Sequence, residues 1–231
     1  MSELIRQHDT KRIIFLGDIK HGTSKILKHE WIEVPNFFEK LLNDLDEIII
    51  IPGNHDGGLK SLLPSDVILC SSKGMSLRDN NKKIYLMHGH AWSSPEAFGA
   101  NIMIMGHHHF TVELKESSGF FLREPVWLIA KYNKLNVIRA YLEYRNISGG
   151  DNPVKVFENT FKINPGTPKL IVMPTFNKFL SGIPLNTDKE KNYLGPFLRA
   201  GGVDIMNSEI FLLDGTYIKL SKESIIERKN K

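Results

Sequence analysis

Four times in this chain a short apolar run stops at glycine or histidine and gives way to a tight polar cluster. Arg12 to Leu16 leads into Gly17-Asp18, Glu47 to Ile51 into Gly53-Asn54-His55-Asp56, Lys83 to Met87 into His88-Gly89-His90, and Asn101 to Met105 into Gly106-His107-His108-His109. Runs this short and this rich in Ile, Leu and Met suit strands, and polar clusters at strand ends are where α/β proteins assemble their sites. Arg12 to Leu16 and Glu47 to Ile51 read as central strands covered on both faces. Between them Pro35, followed by Phe37, Phe38, Leu41, Leu42 and Leu45, predicts a helix that begins at the proline.

Further strands are predicted at Asp66 to Cys70, Met75 to Arg78, Lys83 to His88 and Asn101 to Met105, the middle pair joined by an Asp79-Asn80-Asn81 turn. The pattern weakens from Thr111 to Thr160. There, Val126 to Ala130 reads as a strand and Lys134 to Tyr144 fits helix and strand equally. Near the end, Glu209 to Leu213 and Thr216 to Leu220 flank Asp214-Gly215, the signal of a two-residue hairpin loop. No 20- to 50-residue period repeats. One α/β domain over residues 1–231 follows, a sandwich of two mixed sheets flanked by helices.

Composition narrows the class. With 231 residues, 41% hydrophobic and 24% charged, the chain can bury a full core. It contains no apolar stretch near the ~18 residues that span a bilayer, and residues 1–20 lack a secretion-signal profile. The expectation is a cytoplasmic protein without a membrane partner. The single cysteine, Cys70, rules out an internal disulfide and a cysteine-based zinc cluster, and reads as a small buried hydrophobe. Of the net charge of +4, Lys219 to Lys231 supplies most, with five positive and two negative side chains; the plain reading of this basic tail (about 221–231) is a solvated terminus and the sharper one is contact with nucleic acid. Phe37, Phe38, Phe120, Phe121, Trp127 and Phe176 read as core, not as base-stacking platforms.

The histidines carry more information. One carboxylate, one amide and several imidazoles on neighbouring strand ends give the mixed oxygen and nitrogen donor set of manganese, iron or zinc; magnesium prefers oxygen. His108, between two candidate ligands on extended chain, points away from them. Lys20 and His21 follow Asp18 and read equally as phosphate-holding groups and as ordinary loop.

In the order of these clusters the sequence resembles the calcineurin-like metallophosphoesterases. Their motifs run Asp-x-His, Gly-Asp, Gly-Asn-His-Asp or Glu, a lone His, and Gly-His-x-His. Gly17-Asp18-Ile19-Lys20-His21, Pro174-Thr175-Phe176-Asn177 with Gly182 and Asn186, Leu194-Gly195-Pro196, and Leu213-Asp214-Gly215-Thr216 are similar to the ICC-like subgroup, common in archaea and including bacterial enzymes encoded beside DNA ligase and helicase genes. The resemblance implies a two-metal phosphoesterase that cleaves mono- or diesters of nucleic acid or nucleotides by attack of metal-bound hydroxide, with DNA-repair partners. It implies manganese, with iron(II) or zinc as alternatives. Asp18 would bridge the two ions, Asn54, His88 and His107 would complete one, and His109 would bind the other. His55 would protonate the leaving oxygen with Asp56 orienting it, and Lys20, His21 and His90 would contact substrate or the ligands.

One motif is missing. No Asp-x-His precedes Gly17-Asp18, and the reversed His8-Asp9 is a poor substitute. The first metal position is then incomplete and the first central strand absent. The favoured explanation is a chain that begins late; an in-frame stop upstream of Met1 with no such motif would refute it. The competing one is a variant that holds its second ion poorly, whose limit is a catalytically weakened scaffold for nucleic acid or a repair partner.

Overall fold

A computed structural model describes residues 1–20, 25–115, 119–176, 182–187, 193–220 and 226–227. The short apolar runs are strands. A first helix, α1 (Ser2–Gln7), leads into β1 (Arg12–Phe15), α2 (Glu30–Leu42), β2 (Glu47–Ile50) and β3 (Val67–Leu69). These strands form a three-stranded sheet in the order β1-β2-β3, parallel throughout, so this sheet is not mixed. β2 is central and buried. β1, expected in the middle of its sheet, lies at the edge and only half buried.

Helix α2 begins at Glu30, five residues before the proline expected to open it. Pro35 therefore sits in the second turn, where it removes one backbone donor. The carbonyl it leaves unmatched belongs to Trp31, which is half exposed and so open to water. The apolar face of α2, Val34, Phe38 and Leu41, packs with Ile48 and Ile50 of β2 into one of two cores.

The second sheet holds ten strands. β4 (Met75–Asp79) and β5 (Lys82–Met87) form the expected hairpin. Its two loop residues, Asn80 and Asn81, have φ of 42° and 68°, the left-handed pair that matches hairpin twist and that asparagine tolerates best. Asn81→Ala is expected to lower the unfolding free energy by about 1 kcal/mol, read from urea midpoints, because alanine gains nothing there to offset the left-handed cost. β6 (Ile102–Met105), β7 (Phe110–Lys115) and β8 (Phe121–Ala130) follow, then α3 (Lys134–Tyr144), α4 (Pro153–Phe161), β9 (Lys169–Val172), β10 (Ile183–Pro184), α5 (Pro196–Arg199), β11 (Glu209–Leu212), β12 (Tyr217–Ile218) and β13 (Ile226–Glu227). The main path runs β10-β7-β8-β9-β6-β5-β4, with β11 on β8, β12 on β11 and β13 on β7. Parallel and antiparallel pairs are mixed.

The stretch where the sequence pattern weakened contains two capped helices. Asn133 accepts from the Asn136 N–H at the start of α3, and Asn152 accepts from the Lys155 N–H ahead of Pro153 in α4. Within 165–220, β9, β10, β11 and β12 extend this sheet. The β11–β12 connection has three residues, not two: Leu212 pairs with Thr216, and Gly215 at φ 85° takes the left-handed place. The larger core gathers Phe98, Tyr141, Phe157 and Phe197 beneath α3 and α4. Of the aromatics expected in a core, Phe38 is fully buried, whereas Phe120, Phe121 and Phe176 are exposed, the first two at the β7–β8 turn. Cys70 is half buried, its Sγ 4.0 Å from Met75 Sδ. Among the described residues no helix is long and apolar enough to cross a membrane.

Candidate metal centre

Parallel strands β1 and β2 in one sheet, and β5 and β6 in the other, deliver their polar ends to one place. Leu16 closes β1 and its carbonyl accepts a 2.6 Å hydrogen bond from His88 Nδ1, at the end of β5. That bond engages the Nδ1 proton and turns Nε2 toward the other strand ends, the second-partner device that orients imidazole ligands. Around Nε2 stand His107 Nδ1 at 3.2 Å, Asn54 Oδ1 at 3.3 Å and Asp18 Oδ2 at 3.4 Å. Asp18, His88 and His107 each place a ligand atom within 4.8 Å of the others. Several lone pairs turned toward one point repel unless a cation lies between them, and two oxygens with two nitrogens suit a divalent transition metal.

Charge agrees with this use. Burial works to raise the Asp18 carboxyl, but the His88 ring together with His55, whose backbone N–H it accepts, outweighs burial and holds it at about 2. Burial first, and His88 second, push His107 down to about 3, and burial likewise lowers His90 and His109. Asp18 is therefore a carboxylate and His90, His107 and His109 are neutral imidazoles near pH 7, the protonation states that ligands require.

The backbone is bent to achieve it. Asp18, His107 and His109 have φ of 54°, 69° and 47°, conformations costing about 1–3 kcal/mol each that persist where surroundings enforce them and that cluster at functional sites. Gly17 at φ 80° is required on two counts: a Cβ there would be driven into His88 Nδ1 and come within 2.6 Å of the Gly53 nitrogen.

The loops are tied together by carboxylates. Asp18 Oδ1 accepts the His55 N–H at 3.1 Å. Asp56 is buried and accepts from the N–H groups of Gly53, at 2.7 Å, and Lys20, at 3.1 Å. Asp56 thus clamps the loops after β1 and β2. Lys20 is no exposed loop residue. Its side chain is wholly covered, with Nζ 3.6 Å from Glu30 Oε2 at the start of α2. His21 lies outside the described residues.

His109 stands apart from the Asp18–His88–His107 group, and its Nδ1 is buried without a hydrogen-bond partner; the same holds for His90 Nδ1, whose ring is 5.1 Å from that of His88. His108 points away from the ligands, although not by strand alternation, since His107 and His109 on either side are left-handed and not extended. It is buried, stacks on Phe110 and bonds the Leu194 carbonyl, fastening the loop before α5 to the centre. Asp9 of the His8-Asp9 pair turns to Lys11 at the surface.

Two of the later sequence motifs press on the same strands. The Asn186 amide accepts from the Glu113 N–H at 2.8 Å and donates to the Glu113 carbonyl at 2.7 Å, gripping β7. Gly195, at φ 80°, lies so close to the Gly89 carbonyl that a Cβ would overlap it. Sequence reasoning missed the Leu16 carbonyl, which as backbone carries no residue signal, and missed Trp92, Tyr144 and Arg199, which line a cleft beside the site with Asn54, His90 and His107. Trp92 is two residues past His90 and within reach of motif reading; Tyr144 and Arg199 are not.

A model of the calcineurin-like phosphoesterase family matches residues 1–141, the span that contains Asp18, Asn54, His55, His88, His107 and His109. No curated protein and no solved structure matches the chain.

Proposed function

Since the chain belongs to the calcineurin-like phosphoesterase family, we propose that it hydrolyses phosphate mono- or diesters of nucleotides or nucleic acid with a divalent metal held by Asp18, Asn54, His88 and His107. The observation that carries this reading is the convergence of Asp18 Oδ2, Asn54 Oδ1 and His107 Nδ1 on Nε2 of His88. The donor set fits manganese, with iron(II) or zinc as alternatives, and His109, with its orphaned buried nitrogen, is the proposed ligand of a second ion. Bound there, divalent metal supplies Lewis-acid polarisation of phosphoryl oxygens and makes water nucleophilic at neutral pH.

The chain's own residues supply the rest. Asp18 is the only carboxylate in the cluster and brings the negative charge that neutral imidazoles lack. His55 follows Asn54 directly and is pinned by its backbone to Asp18, so its half-buried ring is set beside the proposed reacting group, where it protonates the departing oxygen. Asp56 holds the two loops in register.

Within the family we place the chain in the ICC-like subgroup, on its later motifs, and the nucleic-acid substrate and repair partners follow from that placement. The close approach of Gly195 to the Gly89 carbonyl, between His88 and His90, supports it by giving that motif work beside the site.

The test is metal dependence. Chelated protein is expected to lose turnover of bis(4-nitrophenyl) phosphate and to regain it with manganese better than with magnesium. Metal uptake with no turnover above the chelated control would leave only a metal-binding scaffold.

A further inference from the structure

The metal centre opens on one side into a cleft of about 720 Å³, large enough for a nucleotide. One wall is the site itself: Asn54, His90 and His107. The facing wall is made by Trp92, by Tyr144 at the end of α3, and by Arg199 at the end of α5. Trp92 is braced from behind, its ring 5.3 Å from Tyr141 and 5.1 Å from Phe197. Tyr144 lies 6.0 Å from Trp92 and within 33° of parallel, and is 56% exposed. Arg199 is held by its Nε donating to the Tyr193 carbonyl at 3.1 Å.

A half-exposed tyrosine alone is unremarkable surface. Here two neighbouring aromatic rings and an anchored guanidinium share a cleft with the proposed phosphate-binding centre. A rigid aromatic platform stacks any base through its π-face, and a fixed guanidinium recognises phosphate with several directed N–H groups.

We propose that Trp92, Tyr144 and Arg199 form a nucleobase subsite, so that the ester presented to the metal centre is that of a nucleotide whose base lies on the Trp92–Tyr144 wall. The inference rests on the phosphoesterase reading for the position of the scissile phosphate. It goes beyond the family match, because Tyr144 and Arg199 fall outside residues 1–141. The shared chemistry is a base next to a phosphate, whether from a free nucleotide or a strand end.

The experiment compares dissociation constants of adenosine 5′-monophosphate, ribose 5-phosphate and a short single-stranded oligoadenylate for the manganese-loaded full chain, by tryptophan fluorescence and calorimetry. The nucleotide is expected to bind about ten-fold or more tightly than the baseless sugar phosphate, the range that base stacking supplies. Tyr144→Ala should bring that ratio toward unity, and Tyr144→Phe should keep it. A tighter oligonucleotide assigns the subsite to a strand end, and equal affinity to free nucleotide; both support it. Equal binding of the nucleotide and the sugar phosphate, or a ratio unchanged in Tyr144→Ala, overturns it. Base preference without turnover of any ester would sink the hydrolase reading and leave the subsite standing; manganese-dependent turnover without base preference would do the reverse.

Discussion

Asp18→Asn is expected to cost the protein its metal and, with it, at least about 100-fold in turnover. Losing even an outer partner of a metal ligand costs about 10- to 100-fold in affinity or activity, and Asp18 stands in the donor group itself, as its only carboxylate. Its Oδ2 lies 3.4 Å from His88 Nε2, and its pKa of about 2 keeps it charged at every working pH. With an amide in its place, only neutral donors remain around a divalent ion. The substitution keeps an oxygen to accept the His55 N–H, so the loop retains its bond. Metal content by inductively coupled plasma mass spectrometry, turnover across a manganese titration, and far-ultraviolet circular dichroism separate the outcomes. A folded D18N protein with full metal content and full activity would remove the proposed centre.

His55→Ala is expected to lower kcat by about 10²- to 10⁴-fold, the contribution of a positioned general acid, while leaving metal content unchanged. What ties His55 to the ligands is its backbone N–H, which alanine also has. The loss should depend on the leaving group. An alkyl alcohol needs a proton as it departs, whereas 4-nitrophenolate leaves unaided, so alkyl esters should suffer far more than nitrophenyl esters. An equal loss on both would mean that His55 acts on the phosphoryl group or on structure, not as the acid.

Much of the site was legible because its signals are local. An apolar run of four or five residues followed by glycine and a donor is a strand and its end, and the paired asparagines of the β4–β5 loop are turn chemistry written in two letters. The family resemblance and its match over residues 1–141 rest on that local pattern. Other features depended on neighbours remote in sequence. Helix α2 starts at Glu30 because its apolar face has β2 to cover, which overrides a proline in the second turn. The edge position of β1 follows from which strands pair, and residues 111–160 were obscure because Val, Ile and Tyr serve helix and strand alike, although Asn133 and Asn152 were already written there as caps.

By itself the sequence determined which donors sit at strand ends, and in what order, since chain direction and the apolar–polar boundary are local properties of the backbone. The tertiary structure alone decided which lone pairs meet. His88 becomes a ligand-ready imidazole through a carbonyl 72 residues away, Lys20 turns inward to Glu30, and Arg199 and Tyr144 come to face the site across a cleft. The direction of a lone pair or a side chain is set by what packs around it, and that becomes fixed only when both sheets are in place.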